Sequence, residues 1–226
     1  MALKETLAYY LVDGGTAFCT FLDATKAFDR VDHCKLFREL IKRDVPAIHH
    51  RLLLNMYTNS VARICWNGVF SQFFCVQNGV KQGGIVSPVL FCMFVDGLLQ
   101  RLRYSKIGCW IGSVYVGVLA YADDVTLLAP TPRAMRLQLQ ICEDYAREYR
   151  IVFNATKSAT MFTARRKVRI YDDLQFFIDG KRIPTVGEFP HLGHIVTSTL
   201  DEKSDILAKK ILSVEKLTMF YVVIRL

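Results

Sequence analysis

No two of the seven cysteines, at positions 19, 34, 65, 75, 92, 109 and 142, form a CxxC pair, and their number is odd. This argues against a disulfide framework and against a zinc finger. It favours a reducing compartment in which buried thiols act as small apolar side chains. No uncharged run is long enough to span a membrane. The two longest, residues 64–80 and 107–122, are short and broken by polar and glycine residues. Lys4, Glu5 and Asp13 interrupt the first twenty residues, so no secretory leader is apparent. Internal repeats and low-complexity stretches are also lacking. The expectation is an intracellular protein, nuclear or cytoplasmic, with no membrane partner.

What is present is a chain of 226 residues, enough for one domain or two small ones. Apolar residues make up 52% and aromatics 12%, too much for a disordered chain and ample for a core. Lys and Arg number 29 against 21 Asp and Glu, a formal charge of +8. That balance permits a nucleic-acid partner without establishing one.

Strand-like and helix-like segments alternate, which favours an α/β or α+β class. Residues 16–23 read as a short buried strand. Asp32 can cap a helix over residues 33–44, with Leu36, Phe37, Leu40 and Ile41 on one face. Pro46 stands early in a second helix carrying Ile48, Leu52, Leu53 and Met56. Asn67-Gly68 is a hairpin dipeptide between strands at 61–66 and 70–76. Ser87-Pro88, after a glycine-rich loop, opens a helix that is apolar almost all round and is expected to be central and buried. Strands at 113–122 and 125–129 meet at Asp123-Asp124. Thr131-Pro132 opens a helix to about residue 149. Shorter strands are expected at 151–153, 159–163 and 174–178, then a turn at Asp179-Gly180, and a single strand within 189–196. A last helix follows from about residue 200, with Leu207, Ile211, Val214, Leu217 and Tyr221 on one face.

Three aspartates stand at the ends of these apolar strands. Asp23 follows Phe18-Cys19-Thr20-Phe21-Leu22, and Asp123-Asp124 follow residues 114–122. A carboxylate beside a core strand is costly unless it is paired or bound to metal. Carboxylates brought side by side repel, and divalent cations relieve that repulsion. Two ions about 3.5–4 Å apart are what a two-metal phosphoryl-transfer site requires. Magnesium suits such a site, since it uses few carboxylates plus substrate phosphates. Taken singly, an Asp-Asp pair is an ordinary solvated hairpin turn and Asp23 an ordinary strand-end cap. Only the combination is sharp.

In combination the segments resemble a family. Phe21-Leu22-Asp23-Ala24-Thr25-Lys26-Ala27-Phe28-Asp29-Arg30-Val31-Asp32-His33 is similar to the first palm motif of reverse transcriptases, in the form FLDxxKAFDxVxH. Asn78-Gly79-Val80-Lys81-Gln82-Gly83-Gly84-Ile85-Val86-Ser87-Pro88-Val89-Leu90-Phe91 is similar to the second, and Tyr121-Ala122-Asp123-Asp124 is the YxDD box. Asn154-Ala155-Thr156-Lys157-Ser158 resembles the fourth motif. Phe189-Pro190-His191-Leu192-Gly193 resembles the primer-grip segment, with an off-pattern proline at 190. The wording of the first two motifs is closest to non-LTR, LINE-type retrotransposon polymerases.

The resemblance implies an α+β polymerase palm, an antiparallel sheet backed by helices. It implies partial fingers within residues 1–195 and the start of a helical thumb at 196–226. It implies an RNA-directed DNA polymerase working on an RNA template, a DNA primer and dNTPs with two Mg²⁺ ions, Mn²⁺ being an alternative. Asp23 and Asp123 would bind both metals, with Asp124 close by and the Ala24 carbonyl completing a shell. Phe28 would sit against the sugar 2′ position and exclude a ribose hydroxyl; core packing is the competing reading. Gln82 and Gly83 would approach the nucleotide, or form an ordinary loop before a helix. Ser87 would cap that helix. Lys157 would act as general acid or phosphate contact, or remain a solvated lysine. Tyr121, Leu192 and Gly193 would lie along the primer. The basic run Arg165-Arg166-Lys167-Val168-Arg169 is either a phosphate contact or a solvated loop.

Few residues precede Phe21, so most of the family's fingers, with their triphosphate grip, are expected to be missing. A curtailed thumb is expected after residue 226. Exposed apolar surface is then expected where those parts would pack. Three readings remain: a polymerase domain, a palm fragment that binds nucleic acid without catalysis, and an inert scaffold.

Overall fold

The computed structural model describes residues 2–12, 14–81, 83–164 and 174–201. The chain opens with helix α1 (Ala2–Val12) and strand β1 (Thr16–Leu22). Helices α2 (His33–Lys42) and α3 (Ala47–Thr58) follow a single 3-10 turn at Phe28–Arg30. Four two-residue strands come next, β2 (Val61–Ala62), β3 (Cys65–Trp66), β4 (Val69–Phe70) and β5 (Phe74–Cys75), and then the long helix α4 (Ser87–Tyr104). Strands β6 (Trp110–Ile111), β7 (Val114–Tyr115), β8 (Val118–Tyr121) and β9 (Asp124–Ala129) precede helix α5 (Pro132–Tyr149). The described chain closes with β10 (Ala159–Ala164), β11 (Phe176–Ile178), β12 (Lys181–Ile183), β13 (Glu188–His191) and β14 (His194–Thr197).

The central sheet is antiparallel, in the order β10-β1-β9-β8. β1 occupies an inner position, and six of its seven residues are buried. Successive side chains of a strand point to opposite faces, so β1 needs cover on both. On one face, Phe18 and Leu22 meet Leu90, Phe91, Phe94 and Leu98 of α4 together with Met135 and Leu139 of α5. On the other, Ala17, Cys19 and Phe21 meet Leu3 and Leu7 of α1 and Val196 of β14. Phe21 also stacks on Phe189 with centroids 4.4 Å apart. The result is an α+β fold with one sheet between helical layers.

Local chemistry sets the element ends. The Asp32 side chain accepts the Lys35 N–H at the start of α2, and Thr131 accepts the Ala134 N–H ahead of Pro132 in α5. Both are N-caps of the expected kind. Asn67 and Gly68 take φ of +47° and +79° between β3 and β4, and Asp179 and Gly180 take +50° and +70° between β11 and β12. These are the left-handed pairs that tight hairpins use.

Several expectations are corrected. Ser87 does not cap α4: Val86 holds the cap position, and the Ser87 hydroxyl instead donates to the Lys81 carbonyl at 2.5 Å. α4 is buried along one face only, and Val89 and Cys92 are exposed. Ile41 points away from the core. Ile48, Leu52 and Met56 of α3 are exposed, leaving Tyr57 as its buried residue. Residues 151–153 form a single bridge, Phe153 to Ala24, rather than a strand. The expected strand within 189–196 is a hairpin, β13 and β14, turning at Leu192 and Gly193. Cys34, Cys65, Cys75 and Cys92 are exposed, so only Cys19, Cys109 and Cys142 serve as buried apolar groups. β14 runs across the 195/196 boundary expected between palm and thumb. Gln82, the basic run at 165–169 and the last helix lie outside the described residues. Among the described residues no helix is long and apolar enough to cross a membrane.

Helix α1 lies in a stretch where the sequence pattern suggested no element. It is pinned by Tyr10, whose hydroxyl accepts the Trp110 N–H and donates to the Trp110 carbonyl. Gln138 of α5 plays the matching role beneath β8. Fully buried, its amide nitrogen donates to the carbonyls of Gly117 at 2.8 Å and Ile107 at 3.2 Å. Replacing it with an apolar side chain removes both bonds, while the Gly117 carbonyl keeps the Leu128 N–H and the Ile107 carbonyl keeps the Tyr115 hydroxyl. We therefore expect Gln138→Leu to lower the unfolding free energy by about 0.5–1.5 kcal/mol in urea titrations. An unchanged midpoint would show that these bonds do not hold the segment leading into β8.

Candidate active site

β1 and β9 carry the three aspartates to one end of the sheet. The last Cα pair between these strands is Leu22 with Val125. One step further along the same ladder, Asp23 stands beside Asp124. Across the other edge of β9, Tyr121 pairs with Asp124 and closes a two-residue loop, Ala122-Asp123. Ala122 takes φ +53° in that loop, a left-handed conformation that costs an L-residue roughly 1–2 kcal/mol. Strain of this kind concentrates at functional sites.

The electrostatics follow from the crowding. Partial burial pushes the Asp124 carboxyl above its ordinary range. The Asp123 carboxylate pushes it further, His191 pulls it back, and Asp23 adds the smallest push. His191, on β13, is buried and held below the usual imidazole range by that burial, while Asp124 draws it back up. His191 also lies against Phe21, with centroids 5.3 Å apart. Sequence reading placed His191 within a motif but gave it no role. Its signal was a titratable residue at the end of a strand next to a turn.

The remaining candidates are placed as follows. Ala24, half-buried, bridges Phe153 and lines an apolar recess with Asp123, Phe91 and Val125. The Phe28 ring stacks on Phe91 of α4, with centroids 4.5 Å apart and planes 21° apart, and stays half-exposed. The loop of the second motif is tied to the Phe28 segment. The Val80 N–H donates to the Phe28 carbonyl, the Gly79 N–H to the Val31 carbonyl, and His33 Nε2 lies 2.7 Å from the Gly79 carbonyl. Gly79 takes φ +90°, and a Cβ there would stand 2.9 Å from the Asp29 carbonyl oxygen, so only glycine allows this approach. Gly83 takes φ +77° with open space around it. Tyr121 is 67% exposed and lines a groove with His191 and Leu192, next to Gly193 at φ +74°. Lys157 is exposed.

Carboxylates and a backbone carbonyl are hard oxygen donors of the kind that magnesium and manganese take. Among the described residues no three His, Cys, Asp or Glu side chains converge tightly enough to hold an ion unaided. A site of this type relies on substrate phosphates for the rest of the shell, and the mutual repulsion around Asp124 is what a cation would relieve. The donor set therefore fits a divalent ion that arrives with substrate.

The raised Asp124 carboxyl also has a consequence for stability. A carboxyl whose folded pKa lies above its unfolded value favours the fold at low pH, and that contribution is lost as pH rises through the folded value. At neutral pH the ionised Asp124 thus opposes folding, by an amount that water screens because the residue is exposed. Asp124→Asn is expected to melt above the parent at neutral pH, with the gap closing toward pH about 4. Equal melting temperatures at both pH values would remove this account.

A family model described as reverse transcriptase (RNA-dependent DNA polymerase) matches residues 5–196. The chain is 29% identical over 184 residues to a retrovirus-related Pol polyprotein from the type-2 retrotransposable element R2DM of Drosophila melanogaster, covering 79% of this chain and 17% of that protein. It is 28% identical over 203 residues to the type-1 element R2 polyprotein of Popillia japonica, covering 87% and 34%. It is 25% identical over 186 residues to the RNA-directed DNA polymerase of the mobile element jockey from Drosophila funebris, covering 80% and 19%. The chain thus spans about a third or less of the length of these relatives. Among solved structures it is similar to telomerase from Candida tropicalis in complex with a telomeric RNA fragment, with a TM-score of 0.60 at 12% identity, covering 90% of this chain and 32% of that one. An apo telomerase structure from the same organism gives a TM-score of 0.59 at 11% identity, covering 88% and 38%. At these identities the likeness establishes the fold. With the palm sheet, the clustered aspartates and a family match over residues 5–196, the chain belongs to the reverse transcriptase family, on its non-LTR retrotransposon side.

Proposed function

We propose that this chain performs RNA-directed DNA synthesis, transferring the α-phosphate of a dNTP to a primer 3′-hydroxyl with release of pyrophosphate. The observation that carries this reading is the gathering of Asp23, Asp123 and Asp124 at one end of the palm sheet in a member of the reverse transcriptase family. Asp23, Asp123 and the Ala24 carbonyl, with Asp124 beside them, would hold two Mg²⁺ or Mn²⁺ ions. When bound, such ions favour the deprotonated 3′-hydroxyl and neutralise the charge that develops on the phosphates.

The protein's own groups do the positioning. Phe28, braced on Phe91, presents its exposed edge to the sugar and leaves no room for a ribose 2′-hydroxyl. Gly83, with Gln82 before it, lets the backbone approach the nucleotide. Lys157 stands on a turn anchored to Asp23, and from there it would give a proton to the leaving pyrophosphate. Tyr121 and the Leu192-Gly193 turn line the groove that would take the primer end. The RNA template, the DNA primer and an intracellular setting complete this reading. Residues 1–195 would carry the palm and partial fingers, and 196–226 would open the thumb.

Primer extension on poly(rA)/oligo(dT) with Mg²⁺ or Mn²⁺ tests the reading. We expect dTTP incorporation by the chain and none by the Asp123→Asn, Asp124→Asn variant. Phe28→Ala should retain incorporation while discriminating against UTP at least about tenfold less well. Folded protein that incorporates nothing overturns the proposed activity. Retained RNA binding with a steep salt dependence would then mark a palm that binds without catalysing.

A further inference from the structure

The chain leaves the sheet at Asp23, and at that point its backbone is held in an unusual way. β1 and β10 pair up to Phe21 with Ala159. The next rung would set Leu22 opposite Ser158, but Ser158 precedes β10. Beyond the ladder, an N–H at Asp23 would be left without a partner, which is costly in a crowded interior. The Ser158 hydroxyl oxygen supplies that partner, accepting the Asp23 N–H at 3.0 Å. Ser158 is 1% exposed, so its hydroxyl does not serve solvent.

The other side of Asp23 is tied to the same turn. The Asn154 N–H donates to the Asp23 carbonyl at 2.8 Å, and the Ser158 N–H donates to the Asn154 carbonyl at 2.8 Å. Asn154 Oδ1 stiffens the turn by accepting from the Thr156 N–H at 3.0 Å, the Thr156 hydroxyl at 2.7 Å and the Lys157 N–H at 3.3 Å. Just beyond, the Thr25 N–H donates to the Val152 carbonyl at 2.8 Å. Both backbone polar groups of Asp23 are therefore gripped by one rigid five-residue turn, through a side chain on one side and a main chain on the other.

We propose that Ser158 is a positioning residue for the site. By taking the Asp23 N–H at the end of β1, it sets where the Asp23 carboxylate stands relative to Asp123 and Asp124, and so sets the site's hold on a divalent cation. This rests on the metal-binding role of Asp23 proposed above. The physical basis is that Asp23 and Asp123 both repel Asp124, and carboxylates that repel move apart unless their backbones are held. A hydroxyl that takes the last strand N–H resists that movement at the one aspartate lying outside the β8–β9 hairpin.

Mn²⁺ binding to the full chain, followed by electron paramagnetic resonance of the free ion, tests this directly. Ser158→Ala should bind Mn²⁺ about tenfold more weakly than the parent. Ser158→Thr, which keeps the hydroxyl, should bind within about twofold of it. Asp23→Asn sets the floor, and circular dichroism confirms that each variant is folded. If Ser158→Ala is not folded, Ser158→Cys, whose sulfur is a weak acceptor, takes its place under the same criteria. Parental Mn²⁺ affinity in the hydroxyl-free variant overturns the proposal. So does a loss shared equally by Ser158→Ala and Ser158→Thr, or a parent that binds no more Mn²⁺ than Asp23→Asn. Primer extension with the same proteins separates the two readings. An affinity change without incorporation by the parent would defeat the polymerase activity and leave the Ser158 role standing.

Discussion

Like charges held together at the end of a sheet are the constraint around which this fold is built. Asp123 and Asp23 both repel Asp124, and an isolated strand end would let them drift apart. What opposes the drift is the depth at which their strands are held. β1 is buried on both faces between α4 and α5 on one side and α1 with β14 on the other. β9 is buried along five of its six residues. The apolar layers therefore stabilise the fold and also fix the strands whose ends carry the three carboxylates.

The polar contacts near the site follow the same logic. Ser158 and Asn154 hold the exit of β1, and His191 faces Asp124 from β13. Each sits at a place where regular strand pairing stops and a catalytic candidate begins. Regular secondary structure satisfies backbone groups by its own ladder. A site at strand ends has no ladder to use, and side chains from other elements take its place.

The outline of this arrangement is legible in the sequence because motifs of this kind encode backbone geometry as well as chemistry. Asp32 and Thr131 cap helices through local contacts, and Asn67-Gly68 and Asp179-Gly180 turn where their φ values demand. The carboxylates could be placed because each ends an apolar run. What escaped was decided by distant parts of the chain. Ser158 and Gln138 look like ordinary polar residues until strands and loops far away in sequence are set against them. The 189–196 stretch reads as holding one strand, with Phe189 and Ile195-Val196 at its apolar ends. The turn depends on Leu192 accepting φ +49° beside Gly193, which a non-glycine residue seldom signals. The helix after Pro46 reads as carrying Ile48, Leu52, Leu53 and Met56, yet Ile48, Leu52 and Met56 face solvent. Periodicity shows that a face exists and says nothing of what covers it.

The position of β1 bears on how the protein is made. Its neighbours in the sheet, β9 and β10, are encoded more than a hundred residues later. While a ribosome works through the intervening helices, the nascent β1 has neither edge paired and only α1, made before it, to cover one face. Contacts this remote in sequence slow the search for the native pairing, and an unpaired apolar strand is a template for the wrong partner. The arrangement that brings Asp23 beside Asp124 in the finished molecule thus leaves the growing chain dependent on keeping an unpaired apolar strand apart until its partners emerge.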